Sequence, residues 1–555
     1  MTLKERIAPL LKGDVHDDEE TRKKYSRDTS IFERLPALVV FPKDANDVEQ
    51  LVRFVREERE AGVDITLTAR SAGTDMTGGP LTTSIVVVFT KYMNHVRDVS
   101  PHTNTEEATA TTEPGVYYRD FEKETLAQAQ AILPSYPASR SLCAMGGIVN
   151  NNSGGELTLR YGKTERYIRS LDVVLSDGST AHLRPLTMQE LEQKKREPSL
   201  EASIYRAVHK LILDNRDEIE KARPTVTKNS AGYYLWNVLN EKKGIFDLTQ
   251  LVCGAQGTLA FLTQATLGLV TPKEHKAMLI VFLSDFETLP EIVRRILAEK
   301  PESFESYDDK TFSLAVKFMP QMLMQMGIWS ALKLGVAFIP EVLMTLRGGI
   351  PKLILMAEFA EDTQAEAIAK AEAAQDALIG LAARTQIART RAQAEKYWKV
   401  RRESFALLRK NVKGLYAAPF IDDFSVHPAD YPAFLPKLDA LVRGHKFIYT
   451  IAGHIGDGNF HIIPLTNLAD PEARKEIVDL MPKVFGLVQE YGGSITGEHN
   501  DGIVRTPYLS YQFSPKMLEL FAEVKKIWDP AGVFNPGKKV GGTIADIERD
   551  MVTHV

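Results

Sequence analysis

The sequence predicts an α+β protein of more than one domain. Its 555 residues exceed what one ordinary hydrophobic core holds, so at least two domains are expected. Strand-like and helix-like segments alternate in the first third, whereas from about residue 273 long strands are followed by long helices. The end of the chain is helical in pattern. These changes delimit four regions: 1–35, 36–272, 273–470 and 471–555.

Composition limits the kind of protein. A net charge of −5 and the lack of a basic arm argue against nucleic acid as the main partner. Cys143 and Cys253 are the only cysteines, which are too few for a disulfide framework, a zinc knuckle or an iron–sulfur cluster. The first 20 residues are charged throughout and contain no apolar signal core. A cytoplasmic location is therefore expected, with both thiols buried.

The first domain is predicted from short apolar runs and capped helices. "ALVVFP", "VDITLTAR" and "SIVVVFT" have the composition of buried strands. "DANDVEQLVRFVREERE" is typical of a helix that opens on an Asp or Asn cap, and "YRDFEKETLAQAQA" is a further helix. "YIRSLDVVLSDGSTAHL" predicts a hairpin that turns at Asp177–Gly178.

The second domain is predicted to be a cap. "AMLIVFLS" leads into "LPEIVRRILAEK", and "LILMAEFA" leads into "AEAIAKAEAAQDALIGLA". These units suggest an antiparallel sheet with helices on one face. An apolar insertion at 312–356 interrupts them, and its segment 318–356 is broken by charges and prolines, so it does not predict a transmembrane helix. It has the composition of a lipid-facing surface or of a pocket wall, and the pocket or core interpretation is favoured.

Two glycine-rich loops are candidates for binding phosphate groups. Arg70–Gly79 reads "RSAGTDMTGG" and Gly146–Gly155 reads "GGIVNNNSGG". Backbone N–H groups of such loops can surround a pyrophosphate without obstruction by side chains. Gly79 stands where a P-loop would have lysine, and no G-x-G-x-x-G opens a helix. Each loop alone could be a surface turn, but together they favour a dinucleotide held by a non-Rossmann fold.

A histidine hairpin is the strongest chemical signal. In "TIAGHIGDGNFHIIP", residues 450–464, Asp457–Gly458 predicts a tight turn that places His454 directly opposite His461. Opposed residues share one face of a sheet, with Cβ atoms about 5 Å apart, which suits two imidazoles that bind one metal ion. The alternative is that one or both histidines are ordinary packed strand residues.

These motifs and others resemble one flavoprotein family. "VVFPKDANDVEQLVRF", "TARSAGTDMTGG", "AMGGIVNNNSGG" and "VCGAQGTLAFLTQATLGLV" are similar to the FAD domain of the vanillyl-alcohol oxidase superfamily. "AGHIGDGNFH", "TGEHNDGIVRTPYL" and "IWDPAGVFNPGK" resemble FAD-linked D-2-hydroxyacid dehydrogenases, and the resemblance covers roughly residues 15–540. It implies a p-cresol methylhydroxylase-type (PCMH-type) FAD-binding domain, a ferredoxin-like cap and a C-terminal segment that completes the active site.

The resemblance implies specific FAD contacts. Where relatives with covalently bound flavin often carry histidine, this chain has Thr74, so FAD is expected to be non-covalent, and attachment through Cys143 is not expected. The implied contacts are Arg70, Ser71, Ala72, Gly73, Thr74, Asp75, Gly78, Gly79, Pro137, Ser139, Gly146, Gly147, Asn150, Gly154, Gly254, Gly257 and Asn535.

The resemblance also implies a metal centre and a general base. His454, His461 and Glu498 are the implied ligands of a divalent metal, for which zinc is expected and manganese and iron are alternatives. His499 is left free as the general base that takes the substrate's hydroxyl proton. Its alternative role is to orient Glu498.

Substrate contacts are implied on a helix and in the hairpin turn. Arg401, in a W-x-x-R element, is the implied clamp for the substrate carboxylate, with Arg402 as its competitor, and Asn459 is implied to lie near substrate. Some relatives have a lysine where this chain has Ile421. That difference favours a monocarboxylate, D-lactate first and then glycolate, over 2-hydroxyglutarate.

The implied activity is FAD-dependent oxidation of a D-2-hydroxy acid to the 2-oxo acid. The electrons are expected to pass to a quinone or to a protein acceptor. Contact of segment 318–356 with the cytoplasmic face of the inner membrane is the alternative to its pocket or core interpretation. A homodimer is left open. One alternative is a flavin-binding subunit of a glycolate-oxidase-like complex, and another is an alkyl-glycerone-phosphate-synthase-like transferase, which exchanges an acyl for an alkyl group.

Overall fold

The structure is a computed structural model that describes residues 1–309, 350–411, 414–445 and 447–554, with only the backbone of 403–411. The predicted insertion at 312–356 therefore lies mainly outside the described residues. None of the helices in the described ranges is both long and apolar enough to cross a bilayer.

The first domain contains three sheets. A four-stranded sheet has the order β1-β2-β4-β3, a five-stranded antiparallel sheet has the order β5-β6-β12-β7-β8, and a small sheet joins β10, β11 and β9. β2, β4 and β3 run parallel. Because all of β2 and β4 is buried, these two strands appear as unbroken apolar runs in the sequence. The strands are β1 Asp14–His16, β2 Leu38–Phe41, β3 Leu67–Arg70, β4 Ile85–Val88, β5 Val96–Ser100, β6 Thr109–Thr112, β7 Ile168–Val174, β8 Thr180–Leu183, β9 Leu186–Thr187, β10 Leu239–Asn240, β11 Ile245–Phe246 and β12 Phe261–Gly268.

Helices accompany these sheets, and the two that the sequence predicts, Ala45–Glu60 and Tyr118–Ala129, are among them. The helix Ala45–Glu60 starts because the Asp44 side chain accepts the backbone N–H of Asp47. The predicted hairpin is confirmed, since β7 and β8 pair antiparallel around Gly178, which has a φ of +77°. The helices of this region are Leu3–Ile7, Glu19–Lys24, Ala45–Glu60, Tyr118–Ala129, Met145–Asn150, Thr158–Tyr161, Met188–Lys194, Leu200–Asp214, Arg216–Lys221, Leu235–Val238 and Thr249–Val252.

A seven-stranded sheet forms the cap. Its order is β16-β13-β15-β14-β19-β20-β18, its strand pairs are antiparallel, and a separate two-stranded sheet joins β17 and β21. The strands are β13 His275–Leu283, β14 Ser303–Asp308, β15 Leu353–Glu361, β16 Arg384–Ala388, β17 Tyr416–Ala417, β18 Phe424–Ser425, β19 Ile451–His454, β20 Asn459–Ile462 and β21 Leu465–Thr466. The helices are Leu289–Ala298, Gln364–Asp376, Arg391–Asn411 and Tyr431–Arg443.

The prediction that helices cover only one face of this sheet is wrong. Odd-numbered residues of β13 share a core with the helices Leu289–Ala298 and Gln364–Asp376. Its even-numbered residues pack with Tyr397 and Trp398 of the helix Arg391–Asn411. The unbroken apolar run of β13 is the signature of a strand buried on both faces. The end of segment 318–356 is likewise buried, because it forms the start of β15.

The histidine hairpin exists, but its predicted register is wrong. His454 pairs with Asn459, and His461 pairs with Ala452. The turn is longer than two residues, because Ile455–Asp457 forms a 3₁₀ turn and Gly458 follows with a φ of +72°. His454 lies two residues from Ala452 on the same strand, so the two histidines still share one face and are diagonal neighbours.

The C-terminal segment returns to the first domain. Its helices are Pro471–Glu490, Gly502–Arg505, Pro515–Trp528 and Ile544–Asp550. Val533 and Phe534 enter the core under the first sheet, and the backbone N–H of Asn535 donates to the Leu67 carbonyl. Residues distant in sequence therefore meet behind the first glycine loop.

Candidate functional site

A cavity of about 460 Å³ joins the two glycine loops to the histidine hairpin. Both loops contribute to its wall, and His454, His461, Glu498 and His499 lie at one end. Fourteen of the predicted cofactor residues line it: Arg70, Ser71, Ala72, Gly73, Thr74, Asp75, Gly79, Pro137, Ser139, Gly146, Gly147, Asn150, Gly154 and Gly257.

The glycines at the start of the second loop leave room for a ligand. A Cβ atom on Gly147 would meet no atom within 4 Å, so it would project into the cavity. A Cβ atom on Gly146 would lie 2.6 Å from the Ser71 hydroxyl, which shows how closely the loops approach. This cradle of backbone, open at Gly147, fits the pyrophosphate and flavin of FAD.

Arg70 is less free to bind phosphate than its sequence position suggests. Its guanidinium donates to the main-chain carbonyls of Arg27 (2.7 Å) and Tyr25 (3.4 Å). It also lies 5.5 Å from the centre of the Tyr25 ring. Arg70 thus fastens the N-terminal segment to the first glycine loop while part of it lines the cavity.

Three predicted cofactor residues lie behind the cavity wall instead of on it. Gly78 packs against Ile503, and the N–H of Gly254 donates to Val149. Asn535 is fully buried, and its amide donates to the carbonyls of Gly79 and Gln256. It joins the first loop to a third loop, Gly254–Gly257.

Gln256 is a cavity residue that sequence reasoning missed. Its Oε1 accepts the N–H of Gly502 at 2.8 Å, and its Nε2 lies 3.3 Å from the hydroxyl of Thr77. The N–H of Ile503 also donates to the Thr77 carbonyl, at 2.8 Å. The segment that follows Glu498 and His499 is therefore bonded directly to the glycine loops. The G-x-Q-G spacing in the third loop was the available signal.

The two side chains relevant to covalent flavin are poor attachment points. Thr74 lines the cavity where covalent relatives are expected to carry histidine. Cys143 also lines it, but burial raises the pKa of its thiol to about 12. The thiolate, which is the nucleophilic form, is therefore scarce at neutral pH.

Three imidazoles converge on one carboxylate oxygen at the end of the cavity. The Nε2 atoms of His454, His461 and His499 lie 3.3, 3.4 and 3.8 Å from Oε1 of Glu498. The His454 and His461 rings are 5.2 Å apart at near right angles, and the His461 and His499 rings are nearly stacked. Two imidazole nitrogens and a carboxylate oxygen that meet at one point form a donor set that fits a divalent metal.

Carboxylates behind the rings fix their orientation. Nδ1 of His454 is hydrogen-bonded to Glu305 at 2.5 Å and Nδ1 of His461 to Asp422 at 3.0 Å, whereas Nδ1 of His499 lies 2.9 Å from the other Asp422 oxygen without a hydrogen bond. Such partners hold the tautomer that turns Nε2 toward a metal or substrate. Both acids were missed; Asp422 stands in the conspicuous pair "DD", whereas Glu305 gave no signal.

Asp423 and Lys228 complete the surroundings of Glu498. His461, Glu498, His499 and Asp423 offer ligand atoms within 4.8 Å of one another. Asp423 is however occupied, since it accepts the backbone N–H groups of Glu498 and His499. Lys228, fully buried, donates to Oε2 of Glu498 at 2.8 Å and leaves Oε1 to the histidines.

The cluster holds charge that the imidazoles must balance. Burial alone would lower the pKa of His461, but Asp422 and then Glu498 raise it to about 10. The pKa of His499 is raised as well, by Asp423 and Asp422 against the effect of burial. Despite burial, Lys228 and His454 hold the pKa of Glu498 well below its usual value. The protonated His461 ring therefore balances part of the carboxylate charge here, and a divalent cation would replace it.

The two adjacent arginines have different partners. Arg401 is mostly buried, and its guanidinium lies 3.2 Å from Glu305. Its Nε has no hydrogen-bond partner among the residues that the structure describes. Arg402 is half exposed and bonds Glu156. Both line the cavity.

Asn459 is buried beside the cluster instead of facing the cavity. Its Nδ2 donates to Asp423 and to the carbonyl of Phe424, and its Oδ1 accepts from Lys228 at 3.4 Å. With these bonds made, its amide supports the loop that carries Glu498. Ile421, where some relatives carry lysine, is also fully buried.

Two family models match the chain. The model of an FAD binding domain matches residues 36–184, and the model of the FAD linked oxidases, C-terminal domain, matches residues 272–539. The chain is 28% identical over 533 residues to D-2-hydroxyglutarate dehydrogenase of Pseudomonas putida. This alignment covers 95% of this chain and 50% of that protein. The chain thus spans about half the length of this relative.

Other similarities extend over complete relatives. Glycolate oxidase subunit GlcD of Bacillus subtilis is 24% identical over 542 residues, covering 97% of this chain and 96% of that protein. 4-Ethylphenol oxidase from Gulosibacter chungangensis is 17% identical with a TM-score of 0.69, covering 98% and 97% of the two chains. p-Cresol methylhydroxylase has a TM-score of 0.67 at 14% identity, covering 98% of this chain and 96% of that chain. These structures share the PCMH-type fold, and the two family models place an FAD binding domain at residues 36–184 and the C-terminal domain of the FAD linked oxidases at residues 272–539.

Proposed function

We propose that the protein oxidises a D-2-hydroxy acid, with D-lactate as the preferred substrate and glycolate next, and that the reaction is metal-assisted. The observation that carries the proposal is the convergence of three histidine Nε2 atoms on Glu498 at the end of the FAD cavity. The relatives named for D-2-hydroxyglutarate and glycolate support the substrate class. The buried Ile421, in place of a lysine, favours a substrate with one carboxylate.

Arg401 is the proposed carboxylate clamp. Its guanidinium lines the cavity close to the cluster, because its partner Glu305 also touches His454. The planar guanidinium fork of Arg401, which lines the cavity, is the group that would bind a carboxylate. Binding there would place the neighbouring hydroxyl toward the histidines.

His499 is the proposed proton acceptor. Its Nδ1 faces Asp422, which leaves Nε2 on the cavity side, and Asp422 stabilises the imidazolium once the proton has arrived. His454, His461 and Glu498 would hold the metal, and Lys228 keeps Glu498 oriented. When bound, FAD supplies the two-electron oxidant and the metal supplies Lewis acidity toward the substrate hydroxyl.

Anaerobic bleaching of the bound flavin tests the proposed function. D-lactate should bleach it fastest, glycolate more slowly, and L-lactate not at all. D-2-hydroxyglutarate as the fastest substrate would assign the chain to the activity of its P. putida relative instead. Bleaching by none of these acids would contradict the proposal.

The electrons are proposed to leave to an acceptor outside the chain, a quinone or a separate redox protein. Both cysteines are buried and free, so they provide no internal iron–sulfur relay. The predicted membrane contact depends on segment 318–356, of which 318–349 lies outside the described residues. Adding a short-chain quinone or a dye to the bleached enzyme compares the acceptors.

A glycolate-oxidase-like complex is the second candidate function, supported by the full-length match to GlcD.

FAD is expected to leave the protein on acid or heat precipitation. Thr74 offers no attachment point, and the Cys143 thiol, with its pKa of about 12, is a poor nucleophile. Absorbance near the flavin maximum should appear in the supernatant. Flavin retained by the denatured polypeptide would contradict this, and its loss in Cys143→Ser would locate the bond.

Metal binding is expected to release protons near neutral pH. The metal-free His461 has a pKa of about 10 and is protonated, whereas a metal needs the neutral ring. The apparent affinity for Zn²⁺ should therefore rise with pH until the histidines are neutral. Calorimetric titration in two buffers of different ionisation enthalpy measures the released protons. Equal heats in both buffers would contradict the prediction.

A further inference from the structure

We infer that Glu156 is a specificity-determining residue that makes the enzyme reject substrates with a second carboxylate. The inference rests on the proposed function, because it concerns the far end of the same substrate. Glu156 would act by occupying Arg402 and by repelling a second negative charge.

Arg402 is the cation available to a far carboxylate. Among the residues that the structure describes, the arginine and lysine side chains on the cavity wall are Arg70, Arg401 and Arg402. Arg70 is bonded to backbone carbonyls at the first glycine loop. Arg401 is the proposed clamp for the first carboxylate. Because Cα atoms of successive residues are about 3.8 Å apart, Arg402 starts beside Arg401, and it is the remaining cavity cation for a second carboxylate.

Glu156 already forms an ion pair with Arg402. Nη2 of Arg402 donates to both oxygens of Glu156, at 2.8 and 2.9 Å. The arrangement is fixed from both sides, because Arg402 lies 4.5 Å from the centre of the Trp398 ring and the Tyr136 hydroxyl donates to Glu156. The arginine is therefore paired before a substrate arrives.

The backbone next to Glu156 lies close to the Glu498 cluster, although among the described residues the Glu156 side chain contacts the cavity only through Arg402. Glu156 follows Gly154, at which an added Cβ atom would be 3.5 Å from Oε2 of Glu498. Between them, the carbonyl of Gly155 accepts from Lys228. A second substrate carboxylate that reached Arg402 would meet the negative charge of Glu156. Glu156 would therefore give specificity in two ways: it repels a second carboxylate, and it occupies the arginine that would bind one.

The pair can be removed without loss of the fold. Arg402 is 50% exposed and Glu156 is 18% exposed, so the cation of this pair stays in contact with solvent and the pair contributes modestly to stability. Glu156→Gln keeps the size of the side chain and removes its charge. The double variant E156Q/R402Q removes the released cation as well. Glu122→Gln is the matched control, because Glu122 bonds Arg140 beside the same Tyr136 ring, and neither residue lines the cavity.

Two measurements on the FAD-loaded enzyme test the inference. The first is the ratio of kcat/KM for D-2-hydroxyglutarate to that for D-lactate. The second is the Kd of 2-oxoglutarate and of pyruvate by calorimetry, which requires no turnover. Glu156→Gln should raise the ratio about tenfold or more and tighten 2-oxoglutarate binding but not pyruvate binding. The double variant should lose both gains, and Glu122→Gln should resemble the wild type.

An unchanged ratio and unchanged binding in Glu156→Gln would overturn the inference. So would gains that persist in E156Q/R402Q, or a wild-type enzyme that already prefers the dicarboxylate. If no hydroxy acid reduces the flavin, the proposed function fails, and the binding of the two oxo acids still shows whether Glu156 excludes the second carboxylate.

Discussion

Replacing Glu498 with glutamine should lower substrate-driven flavin reduction by about 100-fold or more while FAD remains bound. Outer partners of metal ligands already affect activity about 10-fold to 100-fold, and Glu498 is itself the oxygen on which the histidine nitrogens converge. A neutral amide would bind the metal more weakly. Single-turnover reduction by D-lactate measures the loss, metal analysis measures the bound ion, and the absorbance ratio measures FAD.

Glu302→Gln is the control for this substitution. Glu302 is also buried and paired with a lysine, Lys276, but it does not line the cavity. The Glu302→Gln variant should retain both substrate-driven flavin reduction and the bound metal. FAD lost from Glu498→Gln in parallel with activity would instead make Glu498 a part of the fold, and full activity without metal would remove the metal from the mechanism.

Replacing Arg401 with lysine should lower kcat/KM for D-lactate about 10-fold to 100-fold, mainly through KM. An ammonium cannot reproduce the two parallel hydrogen bonds of a guanidinium to a carboxylate, and bonds to charged groups contribute about 1.5–3 kcal/mol. Because the introduced lysine is still cationic, the charge balance with Glu305 is kept. Initial rates over a range of D-lactate concentrations separate KM from kcat.

Arg402→Lys provides the comparison at the next position. Arg402 already bonds Glu156, so this variant should affect D-lactate oxidation little. Equal losses in the two variants would assign the carboxylate to neither arginine alone. A loss confined to Arg402→Lys would exchange their roles.

Residues with special local chemistry were predictable from the sequence. The glycine loops could be located because close approach of backbone to a ligand requires glycine. The buried strands followed from apolar runs, and the helices from their caps and periodicity. The histidine face was also predictable, because diagonal and opposed residues of a hairpin share one side of a sheet.

Residues whose role depends on contacts with distant parts of the chain were not predictable from the sequence. The hairpin register was missed because a 3₁₀ turn added residues that Asp457–Gly458 alone did not indicate. Lys228 lies 270 positions before Glu498, so no local pattern connects them. Glu305 sits in a strand of the cap and meets His454 only after the sheet has formed. The long-range packing of the fold determines such neighbours.

The short segment that begins at Glu498 has a consequence for protein engineering. It carries a proposed ligand at one end and is bonded through Gly502 and Ile503 to the glycine loops at the other. A chimera that imports only a foreign cap would separate elements made to fit each other and misalign substrate with flavin. The smallest exchangeable module therefore includes residues 498–503 together with Thr77 and Gln256.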